Sequence, residues 1–296
     1  MHYRCSHSAR RILTLSVVLF SLLGLPGTAH ARDTLIWLLR DIPPLTIFTG
    51  PDQGEGAMDK LLPLLTARMP EYDHQIMRVN RARGMQMLRQ ESFTCDPTLM
   101  WSAERAETIL YSTPVYAVPG NGLIVRRQQL AKFAPFMKGE SVDLAALLAS
   151  NSIRVGIVAE RSYGETIDPI LLRVPVDQLS LHYGSDAIAS LLQMERLGRM
   201  DALISYWPEA LYQAHQQGIA TEDLAFLPVS GAAKYQFIHI GCSNTPQGRQ
   251  AMEAINREIR KLRESKVENF YARWLPAAQR EEYLQNAKSF FEKAGY

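Results

Sequence analysis

Cys95-Asp-Pro-Thr-Leu-Met-Trp-Ser-Ala-Glu-Arg105-Ala-Glu-Thr-Ile-Leu-Tyr-Ser-Thr-Pro-Val-Tyr116 is the stretch on which the fold turns. It joins the end of an apolar strand, Phe93 to Met100, to a polar loop, an isolated arginine and a Ser-x-Pro-x-Tyr segment. Proline ends regular structure and biases its neighbour to extended backbone, so the segment from Ser112 to Tyr116 reads as a crossing between two parts of the chain.

Elements of alternating type lie on either side of it. Upstream, Thr34 to Leu39 is a short apolar strand stopped by Arg40-Asp41-Ile42-Pro43-Pro44. Gly54-Glu55-Gly56 then opens a helix with an apolar face of Met58, Leu61, Leu62, Leu64, Leu65 and Met69. A strand from His74 to Val79 and a helix from Ala82 to Arg89 complete this half. Downstream, Gly122 to Arg126, Ile153 to Val158, Leu179 to His182, Met200 to Ser205 and Leu224 to Leu227 read as strands. Helices are expected at Val142 to Leu148, from Ser162 onward, at Ser185 to Leu197 with Asp186 and Glu195 on its polar side, and at Pro208 to Gln217. An alternating strand, Tyr235 to Cys242, and an amphipathic helix, Pro246 to Leu262, follow. Strand and helix in alternation predict an α/β fold with mainly parallel sheets flanked by helices.

The first residues form a separate signal. Arg4, Arg10 and Arg11 precede an apolar run from Ile12 to Leu25, a Pro26-Gly27 turn and the small-residue site Ala29-His30-Ala31. This is the pattern of a secretory signal peptide over residues 1–31, cleaved after Ala31. Its apolar core of about 14 residues is shorter than the roughly 20 that a membrane span needs. Cys5 precedes that core and is not placed as a lipid-bearing cysteine. The Arg10-Arg11 pair admits a twin-arginine signal, with ordinary Sec export as the default. Removing the signal leaves 265 of the 296 residues, a length that suits two lobes, and takes the formal charge from +2 to −1. A near-neutral surface speaks against nucleic acid or an anionic membrane as partner. Two of the three cysteines then remain, Cys95 and Cys242. An oxidising compartment favours a disulfide between them, worth about 4 to 5 kcal/mol in the chain-entropy model. Two unpaired buried thiols are the alternative.

These pieces together resemble the type II periplasmic binding proteins, and within them solute-binding protein family 3. The resemblance is carried by Asp41-Ile-Pro-Pro44, Gly56-Ala-Met-Asp59, Glu104-Arg105 with Tyr111 to Tyr116, Val155 to Gly164, Gly198 to Ile204, and Asn269 to Leu275. It implies a two-lobed fold, with lobe 1 formed by residues 32–118 and 236–296 and lobe 2 by 119–235. Ligand would sit between the lobes, and Cys242 would lie beside Cys95 as a staple within lobe 1. It also implies a periplasmic, monomeric binding protein that delivers a small solute to an ABC permease. A sensory module docking to a membrane receptor is the alternative, and a dehydratase-like enzyme using Glu160 or Glu165 a remoter one.

Arg105 stands where that family clamps a ligand carboxylate, which a planar guanidinium grips by two parallel hydrogen bonds. Its plain alternative is a surface pair with Glu104 or Glu107. Thr98 matches a hydroxyl position, whereas Met100 replaces a second small hydroxyl residue. Ser162 and Tyr163, read as the opening of a helix, would offer N–H groups to an anion, or serve as a simple cap. Arg83, and beside it Arg81, would face the cleft from the start of their helix, with a solvated helix start as the alternative. Tyr206-Trp207 replaces the acid that holds an α-ammonium group in amino-acid binders, and Ile42 replaces an aromatic cover. The expected ligand is therefore a small anion with an apolar portion against Tyr116, Tyr206 and Trp207. His74, His182, His215 and His239 are isolated, so no metal is expected, and no cofactor motif is present.

Overall fold

Two mixed β-sheets organise the chain in a computed structural model that describes residues 32–293 apart from 185, 264 and 266. The expected signal peptide and Ser185 lie outside the described residues. The first sheet holds β1 (Thr34–Leu39), β2 (Asp73–Arg78), β3 (Thr94–Met100), β4 (Ile109–Tyr111), β5 (Tyr116–Pro119) and β13 (Tyr235–Ser243), in the order β2-β1-β3-β13-β4 with β5 also on β13. The second holds β6 (Asn121–Arg126), β9 (Val155–Val158), β10 (Leu179–His182), β11 (Ala202–Tyr206) and β12 (Leu224–Pro228), in the order β10-β9-β11-β6-β12. A short pair, β7 (Met137–Lys138) with β8 (Ser141–Val142), stands apart.

Each sheet contains a parallel trio, β2-β1-β3 or β10-β9-β11, extended by antiparallel strands. The expectation of mainly parallel sheets thus becomes one of mixed sheets. The antiparallel part arises because β13 returns against β3, and because β6 runs against both β11 and β12.

Both faces of both sheets are covered, so strand residues of either parity are apolar. In β6, Leu123 and Val125 enter one core and Ile124 the opposite one. In β1, Leu35, Trp37 and Leu39 pack on one side and Leu38 on the other. On the first sheet these layers are α1 (Ala57–Thr66) and α8 (Pro246–Arg263) on one face, with α9 (Glu268–Ala272) and α10 (Ala277–Lys293), and α2 (Arg81–Leu88) on the other. Asp59 fixes the start of α1 by accepting from the Gly56 N–H at 3.1 Å and the Ile47 N–H at 2.9 Å. Leu64 turns outward, 43% exposed, while Ala57, Met58, Leu61, Leu62 and Leu65 form the buried stripe. A short α3 (Ala103–Ala106) follows β3.

The second sheet carries α4 (Leu144–Ala149), α5 (Asp168–Leu171), α6 (Ala187–Arg196) and α7 (Trp207–Gln216). Three local expectations change here. The helix foreseen from Val142 starts at Leu144, because Asp143 caps it by accepting from the Ala146 N–H at 3.0 Å. No helix opens at Ser162; the next is the four-residue α5. Glu195, expected on a polar face, is 1% exposed.

Cys95 and Cys242 lie opposite each other on β3 and β13 and are joined by a disulfide, with Cα atoms 4.0 Å apart. The chain leaves the first sheet at Gly120, between β5 and β6, and returns between Pro228 and Tyr235. At this crossing Asn121 Nδ2 donates to Gln236 Oε1 at 2.8 Å, and Gln236 Nε2 donates to the Tyr163 carbonyl at 2.7 Å. Gly164, at φ +102°, lies so close that a Cβ there would strike the Gln236 amide.

Candidate functional site

Parallel strands deliver their following loops to one edge, so β1 and β2 of the first sheet and β9 and β10 of the second bring their carboxyl ends together. Residues after each of these strands line one cavity of about 30 Å3 between the sheets, including Arg40, Asp41, Arg81, Arg161, Gly184 and Glu209. The first residues of α6 add a helix N-terminus, Ala187 and Ile188, to the same wall.

Arg40 directly follows β1 and is held from behind. Its Nε donates to Asp96 Oδ2 at 2.8 Å, and its Nη2 donates to the Thr98 carbonyl and Thr98 Oγ1, each at 2.9 Å. Asp96 Oδ1 is further occupied by the Thr98 N–H at 2.8 Å and the Thr98 hydroxyl at 2.9 Å. The pair is sealed from water, with side chains 4% and 1% exposed. One donor is left over: Arg40 Nη1 is buried and finds no acceptor. A buried, unmatched donor is costly, and it is rare in folded proteins unless a ligand or water completes it.

Arg81 begins α2, whose cap is Asn80, accepting from the Arg83 N–H at 2.9 Å. Among the described residues its side chain forms no hydrogen bond or ion pair. Burial, with the guanidiniums of Arg40, Arg161 and Arg105 nearby, pushes Arg81 well below its usual value, and Asp96 only partly opposes this. An anion placed here would relieve both effects.

The far wall is already neutralised. Arg161 meets Glu209 end-on, with Nη1 on Oε1 at 3.1 Å and Nη2 on Oε2, and the Ser205 hydroxyl donates to Glu209 Oε2 at 3.1 Å. Burial alone would lower the Arg161 guanidinium, but the Glu209 carboxylate holds it above its usual value. Its plane lies over the Tyr206 ring at 5.0 Å and near that of Tyr163 at 5.6 Å. Asp41 accepts from the Phe48 N–H at 3.1 Å through Oδ1. Burial raises its carboxyl, with Phe48 and Arg78 acting against the rise.

Of the residues singled out in the sequence, Thr98 and Arg105 lie close to this centre. Thr98 supports Arg40 from behind. Arg105 reaches across to the other sheet, where its Nη2 donates to the Glu160 carbonyl at 2.9 Å. Tyr111 stands beside Arg105, and burial pushes its hydroxyl up to about 12 although the arginine opposes the rise. Tyr206 also crosses between sheets, donating its hydroxyl to Met100 Sδ at 2.7 Å. Ser162 and Tyr163 form a loop whose hydroxyl and N–H both go to the Asp168 carboxylate, and the Tyr163 hydroxyl accepts from the Val158 N–H at 2.7 Å. The anion-binding groups expected at a helix start there are thus spent within the protein. Tyr116 packs in the first core and donates to the Ala57 carbonyl at 3.1 Å. Trp207 packs on Phe226 in the second sheet's helical layer. Arg83 is exposed and donates to Gln86 Oε1 at 3.0 Å.

Arg40 and Glu209 were not singled out from the sequence as site residues. A signal existed for the first: Arg40 and Asp96 are opposite charges at otherwise apolar strands, and buried charges need partners. Glu209 carried only the mark of an acid in the first turn of a helix.

No family model and no curated protein sequence matches the chain. Solved structures match its fold along most of its length. An amino acid ABC transporter substrate-binding protein from Streptococcus pneumoniae bound to L-arginine is 15% identical, with TM-score 0.60 over 87% of this chain and 94% of that one. An arginine transport system periplasmic binding protein from Legionella pneumophila is 12% identical, with TM-score 0.60 over 83% and 100%. A histidine kinase sensor domain with similarity to periplasmic binding proteins is 16% identical, with TM-score 0.62 over 83% and 96%. The fold is the two-lobed type II periplasmic-binding-protein fold.

Proposed function

We propose that this chain is a solute-binding protein that is exported, cleaved after Ala31, and captures a small anionic solute in the periplasm between two closing lobes, residues 32–118 with 236–296 and residues 119–235. It acts as a monomer and hands the solute to an ABC permease, without catalysis or cofactor. The observation that carries the anionic assignment is the buried, unmatched Nη1 of Arg40, a residue lining a cavity that is also lined by Arg81, whose side chain forms no hydrogen bond among the described residues. An oxyanion between them would accept charge-assisted hydrogen bonds from both, the strongest kind such a site can make. The low identity of the fold's relatives means that the amino acids in their names do not carry over, because function lives in the site and not in the fold.

A thermal-shift screen of small anions on the exported protein tests this reading. A ligand at 100 times its Kd should add about 2.7 kcal/mol of stability. Arg81→Gln should weaken the responding anion by roughly tenfold to a hundredfold, the worth of about 1.5 to 3 kcal/mol for a hydrogen bond to a charged group. Anion binding that is unaltered in Arg81→Gln would remove the assignment.

A sensory reading is supported by the likeness to a histidine kinase sensor domain. Here the closed form would dock to a membrane receptor in place of a permease. Co-purification of the ligand-loaded protein with the membrane protein encoded beside it separates the two.

A further inference from the structure

The carboxylates at the cavity differ in what they have left to offer. Glu209 has both oxygens committed, to the two terminal nitrogens of Arg161 and to the Ser205 hydroxyl. Asp96, behind Arg40, accepts from Arg40 and from both the N–H and hydroxyl of Thr98. Asp41 has one oxygen on the Phe48 N–H. Against these acceptors stand the open donors Arg40 Nη1 and Arg81, so the lining counts three guanidiniums and two carboxylates.

We infer that Arg161, fixed on Glu209, occupies the place of a ligand cation, so that the solute is an oxyanion carrying no ammonium group next to its acidic group. This rests on the anionic-solute reading and narrows it to deaminated acids or inorganic oxyanions. An α-ammonium brought beside Arg40 and Arg81 would face like charges at short range, at a place where water screens them little. To reach Glu209 it would have to displace Arg161, leaving a buried guanidinium without its carboxylate, which is strongly unfavourable. A compact acid group meets the opposite situation: two donors without acceptors and the N-terminal turn of α6, a ten-residue helix whose cap residue Asp186 makes no side-chain capping hydrogen bond and instead accepts from the Ser190 hydroxyl at 3.3 Å.

The test is isothermal titration of the exported protein with matched pairs that differ by the ammonium group alone, succinate against L-aspartate and glutarate against L-glutamate, with phosphate and sulfate alongside. The expected result is that an anion without an ammonium group binds at least about tenfold more tightly than either amino acid, tenfold being 1.4 kcal/mol. That anion should weaken in Arg81→Gln. An amino acid that binds as tightly as its deaminated partner, and weakens in Arg81→Gln, overturns the inference while leaving the anionic reading in place. Loss of that amino acid in Asp41→Asn would then put the ammonium on the second oxygen of Asp41. Absence of binding by all six probes overturns the anionic reading, and the inference falls with it.

Discussion

Replacing Glu195 by Gln should make the protein more stable above neutral pH and leave it almost unchanged near pH 5. Glu195 lies in the last turn of α6, 1% exposed, and its Oε1 is buried without a partner. Burial pushes its carboxyl up to about 7, with Arg126 opposing the rise and Asp201 adding to it. In the unfolded chain the same group titrates near 4.5. Between these values the folded state binds more protons than the unfolded one, so stability falls as pH rises through the window and levels off above it. The gap of about 2.5 pH units corresponds to about 3 kcal/mol at 1.36 kcal/mol per unit. Glutamine mimics the protonated carboxyl in shape and cannot ionise, so it escapes this loss. Urea unfolding of both proteins from pH 5 to pH 8 gives the difference directly, with the slope m monitoring the unfolded state. A variant advantage of about 2 to 3 kcal/mol at pH 8 that shrinks towards zero at pH 5 is expected. A difference that stays constant with pH, or a variant less stable at pH 8, refutes the reasoning.

Two further outcomes follow from contacts already described. Converting both Cys95 and Cys242 to Ala, which opens a loop of 147 residues, should lower the unfolding free energy by about 3 to 5 kcal/mol in the chain-entropy model; a denaturant midpoint unmoved from that of the oxidised protein counts against the bond. Arg105→Ala removes the hydrogen bond to the Glu160 carbonyl on the other sheet. It should shift the ligand-free ensemble towards wider separation of residues 105 and 160, read by paired spin labels placed beside them, and an unchanged distance distribution contradicts a bridging role.

The sequence was most legible where a signal is local. Thr34–Leu39, an apolar run, and Leu179–His182, an alternating one, have the bounds that the sequence suggests, because turn residues close both. Ser162 misled because a serine after a buried strand looks like a helix cap, whereas the carboxylate that takes its hydroxyl lies six residues on, at Asp168. Glu195 was misassigned by charge alone. Ile188, Leu191, Leu192 and Glu195 fall at i, i+3, i+4 and i+7, so the helical period already put it on the buried stripe. At the site, Arg81 and Arg83 are two residues apart and therefore about 200° apart around α2, which sends one to the cavity and the other to solvent. The Arg40–Asp96 pair spans 56 residues, and only the placing of β3 beside β1 brings those strand ends together. Non-local pairing of this kind has no signature in a window of sequence.

The crossings at Gly120 and between Pro228 and Tyr235 also have a mechanical meaning. β13 is hydrogen-bonded to β3, β4 and β5 and covalently tied to β3, so the first sheet behaves as a fixed jaw. The second sheet hangs from it by two strands of backbone, and the Tyr163 carbonyl, which belongs to the loop after β9, is gripped by Gln236 on the fixed side. In the proposed closure, a turn of the second sheet would either drag that loop or release it, which would make the Gln236 amide a lever between the pivot and the bite.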